Sequence, residues 1–192
     1  MVGIRTLVLL TGANRCGKDT VANVFSDISN FAHMKISDPL KDLVNNLFQI
    51  PVEVRDTNKK DTERVFHDKT YRDLLQFIGT DMFQHKWSEF DKTTPKRCLW
   101  IALLEERIRR HQGNVVVSDL RFHHEIEYLR DYLHDYNIVT ILISRHGKEP
   151  LPSHESDSSY QQVRYDHHFK NDGTRDDITP FVQTIIRHYN ET

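Results

Sequence analysis

The feature that most constrains the fold of this chain is a glycine-rich segment at residues 12–20, Gly-Ala-Asn-Arg-Cys-Gly-Lys-Asp-Thr. An apolar run at residues 7–10 precedes it, and a helical pattern begins near Lys18. Two glycines with four residues between them, followed by a lysine, allow a tight turn whose backbone N–H groups point at a polyphosphate. The strand before the turn and the helix after it argue against a chance match, so the segment predicts a nucleotide phosphate site.

Each part of this loop has a physical role in binding phosphate. The helix that starts near Lys18 directs its dipole and free N–H groups at the anion, and the lysine supplies a cation for the β- and γ-phosphates. Asp19 stands where a serine or threonine is usual. It could ligate a metal, support the metal from beyond its direct ligands, or only match the charge of a helix start. The contacts that we expect from the loop are Gly12, Asn14, Arg15, Cys16, Gly17, Lys18, Asp19 and Thr20.

Composition narrows the classes of function. The chain has 192 residues, a formal net charge of −2 and a pI of about 6.6, so no basic footprint argues for nucleic acid binding. Its two cysteines, Cys16 and Cys98, suggest no disulfide framework and fit a reducing compartment, for which we expect the cytoplasm. No apolar run approaches the ~20 residues of a membrane span. The first apolar run leads straight into the phosphate loop, which favours a strand over a signal peptide.

Strands and helices alternate along the chain. Apolar runs predict strands at residues 4–11, 32–37, 115–119, 138–144 and 165–170. Helical spacing predicts helices at residues 18–29, 38–48, 70–86, 95–111, 122–135 and 175–189, and the polar residues 51–69 suggest an irregular excursion. The pattern predicts a three-layer α/β/α fold with a mostly parallel five-stranded sheet. Ligands bind at the carboxyl ends of such strands, where Asp38, Asp119 and Arg145 would join the phosphate loop.

A second motif lies at residues 115–122, where the apolar run Val-Val-Val leads into Ser-Asp-Leu-Arg-Phe. Asp119 would project from the strand end towards the phosphate loop and could hold Mg²⁺ through water. Arg121 could bind a substrate phosphate with two parallel hydrogen bonds. The alternative is that Asp119 caps the next helix and Arg121 is a solvated surface charge. A phosphate loop needs an acid of this kind, which favours the functional interpretation.

The predicted helix at residues 70–86 places Arg72 and Gln76 on one face, because positions i and i+4 are neighbours on a helix. That face could hold a phosphate with Arg72 and contact a base edge with Gln76, and Trp87 could stack on the base. Taken alone, a polar helix face beside core aromatic residues is the simpler interpretation.

Two further patterns are rejected. Residues 58–61, Asn-Lys-Lys-Asp, match the guanine-binding motif of GTPases, but there is no glycine between Gly17 and Gly79 for the switch that a GTPase needs. The 12 histidines are scattered or stand in adjacent pairs, without the i, i+4 spacing of a His-Glu-x-x-His metal site.

Together the motifs resemble those of the phage-type deoxynucleoside monophosphate kinases. The resemblance rests on Gly-x-x-x-x-Gly-Lys-Asp-Thr-Val-Ala at residues 12–22, Ser-Asp-Pro-Leu-Lys at 37–41, Tyr-Arg-Asp-Leu-Leu-Gln with Gly-Thr-Asp at 71–81, and Ser-Asp-Leu-Arg-Phe-x-x-Glu at 118–125. His-Glu-Ser-Asp at 154–157, Asp166 and Asn-Asp-Gly-Thr at 171–174 continue it. It implies a single P-loop kinase domain over residues 1–192, with a helical substrate-binding insertion at about 50–95 and a lid at about 145–164.

The resemblance also implies a reaction, ATP + dNMP to ADP + dNDP with Mg²⁺, and a role for each site residue. The catalytic residues would be Lys18, Asp119, Arg121 and Arg145, with Asp19 and Asp119 on the metal and Asn171 and Gly173 near the adenine. The acceptor nucleotide would be bound by Asp38, Lys41, Arg72, Gln76, Trp87, Arg121 and Glu155. Two other interpretations stay open: a kinase of another small phosphorylated metabolite, and a nucleotide-binding module without catalysis.

The sequence departs from the family pattern in three places. Family members often have Pro-Asn where this chain has two histidines, at residues 123–124. They often have an arginine after Gly-Thr-Asp, and residues 82–85 of this chain contain none. Asp157 stands where they have a glutamate. These departures concern the nucleobase preference more than the reaction. The sequence also leaves open whether the chain forms a homodimer.

Overall fold

The computed structural model describes residues 5–55, 57–148 and 159–190. The chain divides into two compact units. The sheet unit comprises residues 1–36 and 104–192, and the helical unit comprises residues 37–103. The substrate-binding insertion expected at about residues 50–95 falls inside the helical unit. Part of the expected lid, residues 149–158, lies outside the described residues.

The strands of the described residues are β1 (Arg5–Thr11), β2 (Ala32–Met34), β3 (Arg64–Phe66), β4 (Lys69–Thr70), β5 (Val115–Val117), β6 (Tyr136–Ser144) and β7 (His167–Lys170). The α-helices are α1 (Lys18–Ser29), α2 (Asp38–Phe48), α3 (Val52–Arg55), α4 (Tyr71–Gln76), α5 (His85–Phe90), α6 (Leu99–His111), α7 (His123–Tyr132) and α8 (Arg175–Asn190). Asn58–Asp61 and Ser159–Gln162 form 3₁₀ turns, and Phe77–Gln84 is π-helical. Among the residues described, no helix has both the length and the apolar character needed to span a membrane.

Five strands of the sheet unit form one sheet in the order β2–β5–β1–β6–β7, and every neighbouring pair is parallel. The central strand, β1, pairs with β5 from Leu7 to Leu9 and with β6 along its whole length. A strand of a parallel sheet is covered on both faces, and β1 is accordingly buried from Thr6 to Thr11. The predicted α/β fold with a mostly parallel five-stranded sheet is confirmed.

Apolar side chains cover both faces of this sheet. On one face, Val8 and Leu10 of β1 pack with Phe25 of α1 and Val182 of α8, and all four are fully buried. The alternate β1 residues Leu7 and Leu9 point to the opposite face and are equally buried. Helices α6 and α7 contribute further side chains that are at most 1% exposed: Leu104, Ile108, Ile126 and Leu129.

The helical unit has its own small core. Tyr71, Leu74 and Ile78 pack there with Val44 and Val54. Residues 51–69, expected to be irregular, instead contain α3, a 3₁₀ turn and an antiparallel hairpin of β3 and β4. The expectation is wrong because a few apolar side chains suffice to pack short elements against a core.

The helix predicted at residues 70–86 is longer and less regular than its spacing indicates. It runs from Tyr71 to Phe90, and its middle part, Phe77–Gln84, is π-helical. Trp100 Nε1–H donates to the carbonyl O of Gly79 at 2.9 Å, and such contacts from outside a helix accompany irregular winding. A Cβ on Gly79 would lie 2.4 Å from the side chain of Leu40, so helix α2 packs closely at this point.

Candidate active site

The predicted phosphate loop connects the end of β1 to the start of α1. Three of its residues have positive φ angles: Gly12 at 140°, Arg15 at 63° and Gly17 at 97°. A Cβ on Gly12 would lie 2.1 Å from the carbonyl O of Ile143 in β6, so only glycine fits there. The N–H of Val21 donates to Gly17 O at 3.0 Å, so the helix begins directly after the turn. This strand–turn–helix form is what anion binding at a helix N-terminus requires.

Asn171 supports the loop from the β7 side, a contact that the sequence does not reveal. Its Nδ2 donates to the carbonyl O of Cys16 at 2.9 Å, and its backbone N–H donates to Ser144 O at 2.8 Å. The residue is 5% exposed. A Cβ on Gly17 would lie 2.1 Å from the Asn171 Nδ2, so these two residues fit each other closely. A place for Asn171 and the exposed Gly173 near the adenine stays a prediction.

Lys18 directs its ammonium group into the loop. Nζ donates to the carbonyl O of Gly12 at 2.9 Å and of Ala13 at 2.7 Å, and it lies 3.8 Å from the Cys16 sulfur. Cys16 is fully buried, and burial raises the pKa of its thiol. The ammonium group is therefore already positioned in the turn, where it can exchange carbonyl oxygens for phosphate oxygens.

The charges around Lys18 come from both motifs. Burial lowers the pKa of Lys18, and the positive charge of Arg121 lowers it further. The negative charges of Asp19 and Asp119 act in the opposite direction. Since such effects fall off with distance, the four residues share one electrostatic neighbourhood. The structure thus brings together residues that the sequence assigns separately to phosphate and metal binding.

Both carboxylate oxygens of Asp19 accept hydrogen bonds. Ser118 Oγ donates to Oδ1 at 2.6 Å, and Lys35 Nζ donates to Oδ2 at 2.9 Å. Burial would raise the pKa of the Asp19 carboxyl, but the hydrogen bonds from Ser118 and Lys35 and the charge of Lys35 outweigh it and hold the pKa below its usual range. Asp19 is therefore ionised at neutral pH, and it joins the start of α1 to the residues that follow β2 and β5.

His33, in β2, extends this network. Its Nε2 lies 2.7 Å from Ser118 Oγ and 3.8 Å from Asp19 Oδ1. Ser118 has one hydroxyl proton, and it uses that proton in its hydrogen bond to Asp19. His33 Nε2 must therefore be protonated and be the donor in its hydrogen bond with Ser118 Oγ. No role for His33, Lys35 or Ser118 is predicted from the sequence. The signal that could have marked them is their place at the carboxyl ends of β2 and β5.

The turn between β5 and α7 carries the second motif. Asp119 Oδ1 accepts the backbone N–H of Ile36 at 2.8 Å, which ties the segment beyond β5 to the segment beyond β2. Glu125 Oε2 accepts the backbone N–H groups of Arg121 at 2.9 Å and of Phe122 at 3.0 Å. The bond from Phe122 is one half of a capping box, and a phenylalanine side chain cannot supply the other half. Glu125 therefore fixes the backbone from which Arg121 projects.

Glu125 is the buried acid of this turn and is 6% exposed. Burial raises its pKa to about 7, against the lowering effect of the N–H groups of Arg121 and Phe122, and the charge of Asp119 raises it further. Sequence analysis includes Glu125 only as the last letter of a motif. The sequence signal for Glu125 is its position in the first turn of a predicted helix, shortly after an arginine.

The remaining predicted residues that the structure describes in the sheet unit have exposed side chains. Asn14, Arg15 and Thr20 lie in the loop and at the start of α1. Arg145 directly follows β6, in a turn closed by a 3.2 Å hydrogen bond from the Lys148 N–H to the Arg145 carbonyl O. Glu155 lies outside the described residues.

Five predicted site residues belong to the helical unit: Asp38 and Lys41 in α2, Arg72 and Gln76 in α4, and Trp87 in α5. Arg72 Nε donates to Asp61 Oδ1 at 2.5 Å, and the two side chains are 32% and 30% exposed. The segment that matches a GTPase motif thus supplies an acidic partner for Arg72. The ring of Trp87 contacts those of Phe83 and Phe90, at centroid distances of 5.9 and 5.4 Å.

A family model described as deoxynucleotide monophosphate kinase matches residues 50–181. The chain belongs to the deoxynucleotide monophosphate kinase family. The match covers more than half of the chain and begins after the phosphate loop, so the family and the loop are independent observations. The protein is therefore a kinase, a phosphotransferase, and the predicted family is confirmed. No curated protein sequence matches the chain.

Solved structures of kinases share the fold of this family member at low sequence identity. A gluconokinase from Sinorhizobium meliloti is 11% identical, with 98% of this chain and 95% of that chain covered and a TM-score of 0.52. A shikimate kinase from Bacteroides thetaiotaomicron is 16% identical, with 95% and 97% covered and a TM-score of 0.50. Identities this low show the fold alone, which is that of the P-loop kinases.

The residues of this kinase fit a nucleotide-bound Mg²⁺. Among the residues that the structure describes, no group of three or more His, Cys, Asp and Glu side chains could hold a metal ion without other ligands. Kinases bind Mg²⁺ with one or two carboxylates, water and the phosphates themselves. The carboxylates of Asp19 and Asp119 fit that requirement, because Ser118, which donates to Asp19 at 2.6 Å, directly precedes Asp119 in the chain.

Proposed function

We propose that the protein transfers the γ-phosphoryl group of ATP to a deoxynucleoside monophosphate, giving ADP and the deoxynucleoside diphosphate. The observation that carries this proposal is the 2.6 Å hydrogen bond from Ser118 to Asp19, which joins the phosphate loop to the segment of Asp119 and Arg121 in a chain of this family. A cation inside a phosphate loop suits a donor nucleotide, and an arginine on the adjacent strand end suits a second phosphate.

On this proposal, Lys18 and the loop N–H groups bind the ATP phosphates, with Thr20 on the α-phosphate. Asp119 and Asp19 would hold Mg²⁺, which when bound would offset the negative charge of the β- and γ-phosphates. The turn at residues 171–174 lies near the adenine. The contact of Asn171 with the loop supports this, because it links that turn to the phosphate site.

We assign recognition of the acceptor to Arg121, to the helical unit and to Glu155. In the helical unit, Asp38, Lys41 and Arg72 would bind the acceptor phosphate end, and Gln76 and Trp87 the base. The 2.5 Å contact with Asp61 supports the assignment of Arg72, because a held guanidinium loses less freedom when it binds a phosphate. The aromatic neighbours of Trp87 support a stacking surface of the same kind.

The chemistry that these side chains supply is positioning and charge. The acceptor phosphate is already ionised, so no strong general base is needed, and Lys18, Arg121 and Arg145 stabilise the charge of the transferring group. Residues 145–164 act as a lid that excludes water, so that ATP is not hydrolysed. Cys16 and Cys98 are free thiols, which supports a cytoplasmic location.

The test is an ADP-release assay with ATP and Mg²⁺ over the four common dNMPs and their ribose counterparts. We expect turnover of at least one dNMP, with Lys18→Ala as the inactive control. ADP release without any dNMP, or release only with a phosphorylated metabolite that lacks a base, would contradict the proposed substrate class. Tight ATP binding with no transfer to any acceptor would instead indicate a module without catalysis.

A further inference from the structure

Asp19 is the residue of the phosphate loop whose role the proposed function leaves least defined. Its carboxylate is held by Ser118 at 2.6 Å and by Lys35 at 2.9 Å. A serine or threonine at this position would carry no charge. A carboxylate adds a negative charge beside a polyphosphate, which opposes binding unless a cation accompanies it. Lys35 is a cation of the protein itself at this carboxylate, and it would act in addition to the Mg²⁺ that a nucleotide brings.

The position of Lys35 is defined by its backbone as well as by its side chain. Its carbonyl O accepts a hydrogen bond from Arg107 at 3.2 Å, and the N–H of the next residue, Ile36, donates to Asp119 at 2.8 Å. Only 26% of the Lys35 side chain is exposed, against 61% of the Asp19 side chain. A typical surface pair has two mobile, solvated partners, and it contributes little. The side chain and backbone of Lys35 are more restricted than those of the partners in such a surface pair.

The location of the ammonium group indicates which phosphate it would meet. The residue after the loop lysine normally holds the Mg²⁺ that bridges the β- and γ-phosphates. Lys35 is bonded to Asp19, on the β2 and β5 side of the loop. Asn171 contacts the loop from the opposite side, next to β7. Lys35 therefore belongs to the γ-phosphate end.

We propose that Lys35 binds the γ-phosphate of ATP, and that Asp19 is the positioning residue that holds the Lys35 ammonium group there. An ammonium group has three N–H donors, so it can stay on Asp19 and donate to a phosphate oxygen at the same time. The inference rests on ATP being the donor, as in the proposed function, but it does not depend on which acceptor is used.

The test compares the affinities of ATP and ADP, measured by calorimetry without an acceptor. We expect Lys35→Gln to weaken ATP binding by about tenfold, the loss of one charge-assisted hydrogen bond, and to leave ADP binding unchanged. Lys35→Arg keeps the charge and should restore most of the ATP affinity. Equal losses for ATP and ADP, or no loss for either, would overturn the proposal.

A double variant tests the part played by Asp19. If Asp19 acts through Lys35, then in buffer without Mg²⁺, where a metal role of Asp19 cannot contribute, Asp19→Asn combined with Lys35→Gln should bind ATP no more weakly than Lys35→Gln alone. Fully additive losses would show that Asp19 acts independently of Lys35 and would overturn the positioning role. The matched control is Arg110→Gln, which breaks the exposed 3.2 Å pair with Glu106 and should leave both affinities unchanged.

These measurements separate this inference from the proposed function. If no dNMP is phosphorylated but Lys35→Gln lowers only the ATP affinity, the acceptor assignment fails and the role of Lys35 stands. If dNMPs are phosphorylated and Lys35→Gln binds ATP as tightly as the unmodified protein does, the acceptor assignment stands and the role of Lys35 fails. Thermal unfolding of each variant identifies any loss that is due to the fold.

Discussion

The contacts that support the phosphate loop differ between its two sides. Those on one side define the shape of the loop, and those on the other side supply charge. On the side of β6 and β7 the contacts are neutral: Gly12 packs against the Ile143 carbonyl, and Asn171 donates to the carbonyl O of Cys16. On the side of β5 and β2 they involve an ion pair, between Asp19 and Lys35. We infer that the neutral side fixes the path of the backbone, whereas the charged side sets the field in which phosphates bind and react.

The largest effect should come from removing a cation, either Lys18 within the loop or Arg121 on the charged side. We expect Lys18→Ala and Arg121→Ala each to lower kcat/KM by about a thousandfold, since each removes charge stabilisation of the transferring group. Circular dichroism should show an unchanged fold, and Arg110→Ala serves as the surface control. Near-normal turnover in either variant would show that the charged side does not carry the chemistry.

A smaller effect, on stability and dependent on pH, should come from Glu125, the buried acid of the charged side. The pKa of Glu125 in the folded protein, about 7, lies above its ordinary value of 4.5, so the folded state keeps this proton to a higher pH than the unfolded state. The free energy of unfolding should therefore fall as pH rises from about 4.5 to 7 and level off above that, by up to about 3 kcal/mol from this residue.

Glu125→Gln isolates that contribution, because the amide keeps the shape of the protonated carboxyl and does not titrate. Urea unfolding at pH 5, 6.5 and 8 should show a smaller loss of stability in the variant than in the unmodified protein. Parallel pH profiles for the two proteins would contradict the assignment of a raised pKa to Glu125.

The neutral side should give the smallest effect and a different pattern. Asn171→Ala leaves the buried carbonyl O of Cys16 without this donor, which costs about 1–3 kcal/mol of stability. Because the path of the loop is affected, ATP and ADP should lose affinity by similar factors. Thermal unfolding and calorimetry measure both, with Asn46→Ala on the exposed surface of α2 as the control. A loss confined to ATP would remove the distinction between the two sides.

The neutral side also shows where sequence reasoning stops. The spacing of Gly12, Gly17 and Lys18 is local, so it predicts the turn, and the alternating elements predict the parallel sheet around it. Asn171 contacts Cys16 across 155 positions, and no local pattern carries that information. The same limit explains the π-helical segment Phe77–Gln84, whose Gly79 carbonyl is bonded to Trp100, 21 positions away.

The charged side was predictable in part. Asp119 and Arg121 follow an apolar strand, and a phosphate loop calls for an acid and an arginine there. Lys35 and His33 carry only the signal of their place at the end of β2, and it is weak because a lysine and a histidine near the end of a three-residue strand resemble ordinary surface residues. Their role depends on Asp19, whose departure from serine or threonine is visible in the sequence although its partners are not.

The most direct test of the account is phosphorus NMR of the protein with ATP, Mg²⁺ and a dNMP, recorded over time. The account predicts that the resonances of ADP and of the deoxynucleoside diphosphate grow together as those of ATP and the dNMP decline, and that Lys18→Ala abolishes both changes. Growth of ADP together with inorganic phosphate, or no change with any of the four dNMPs, would contradict it.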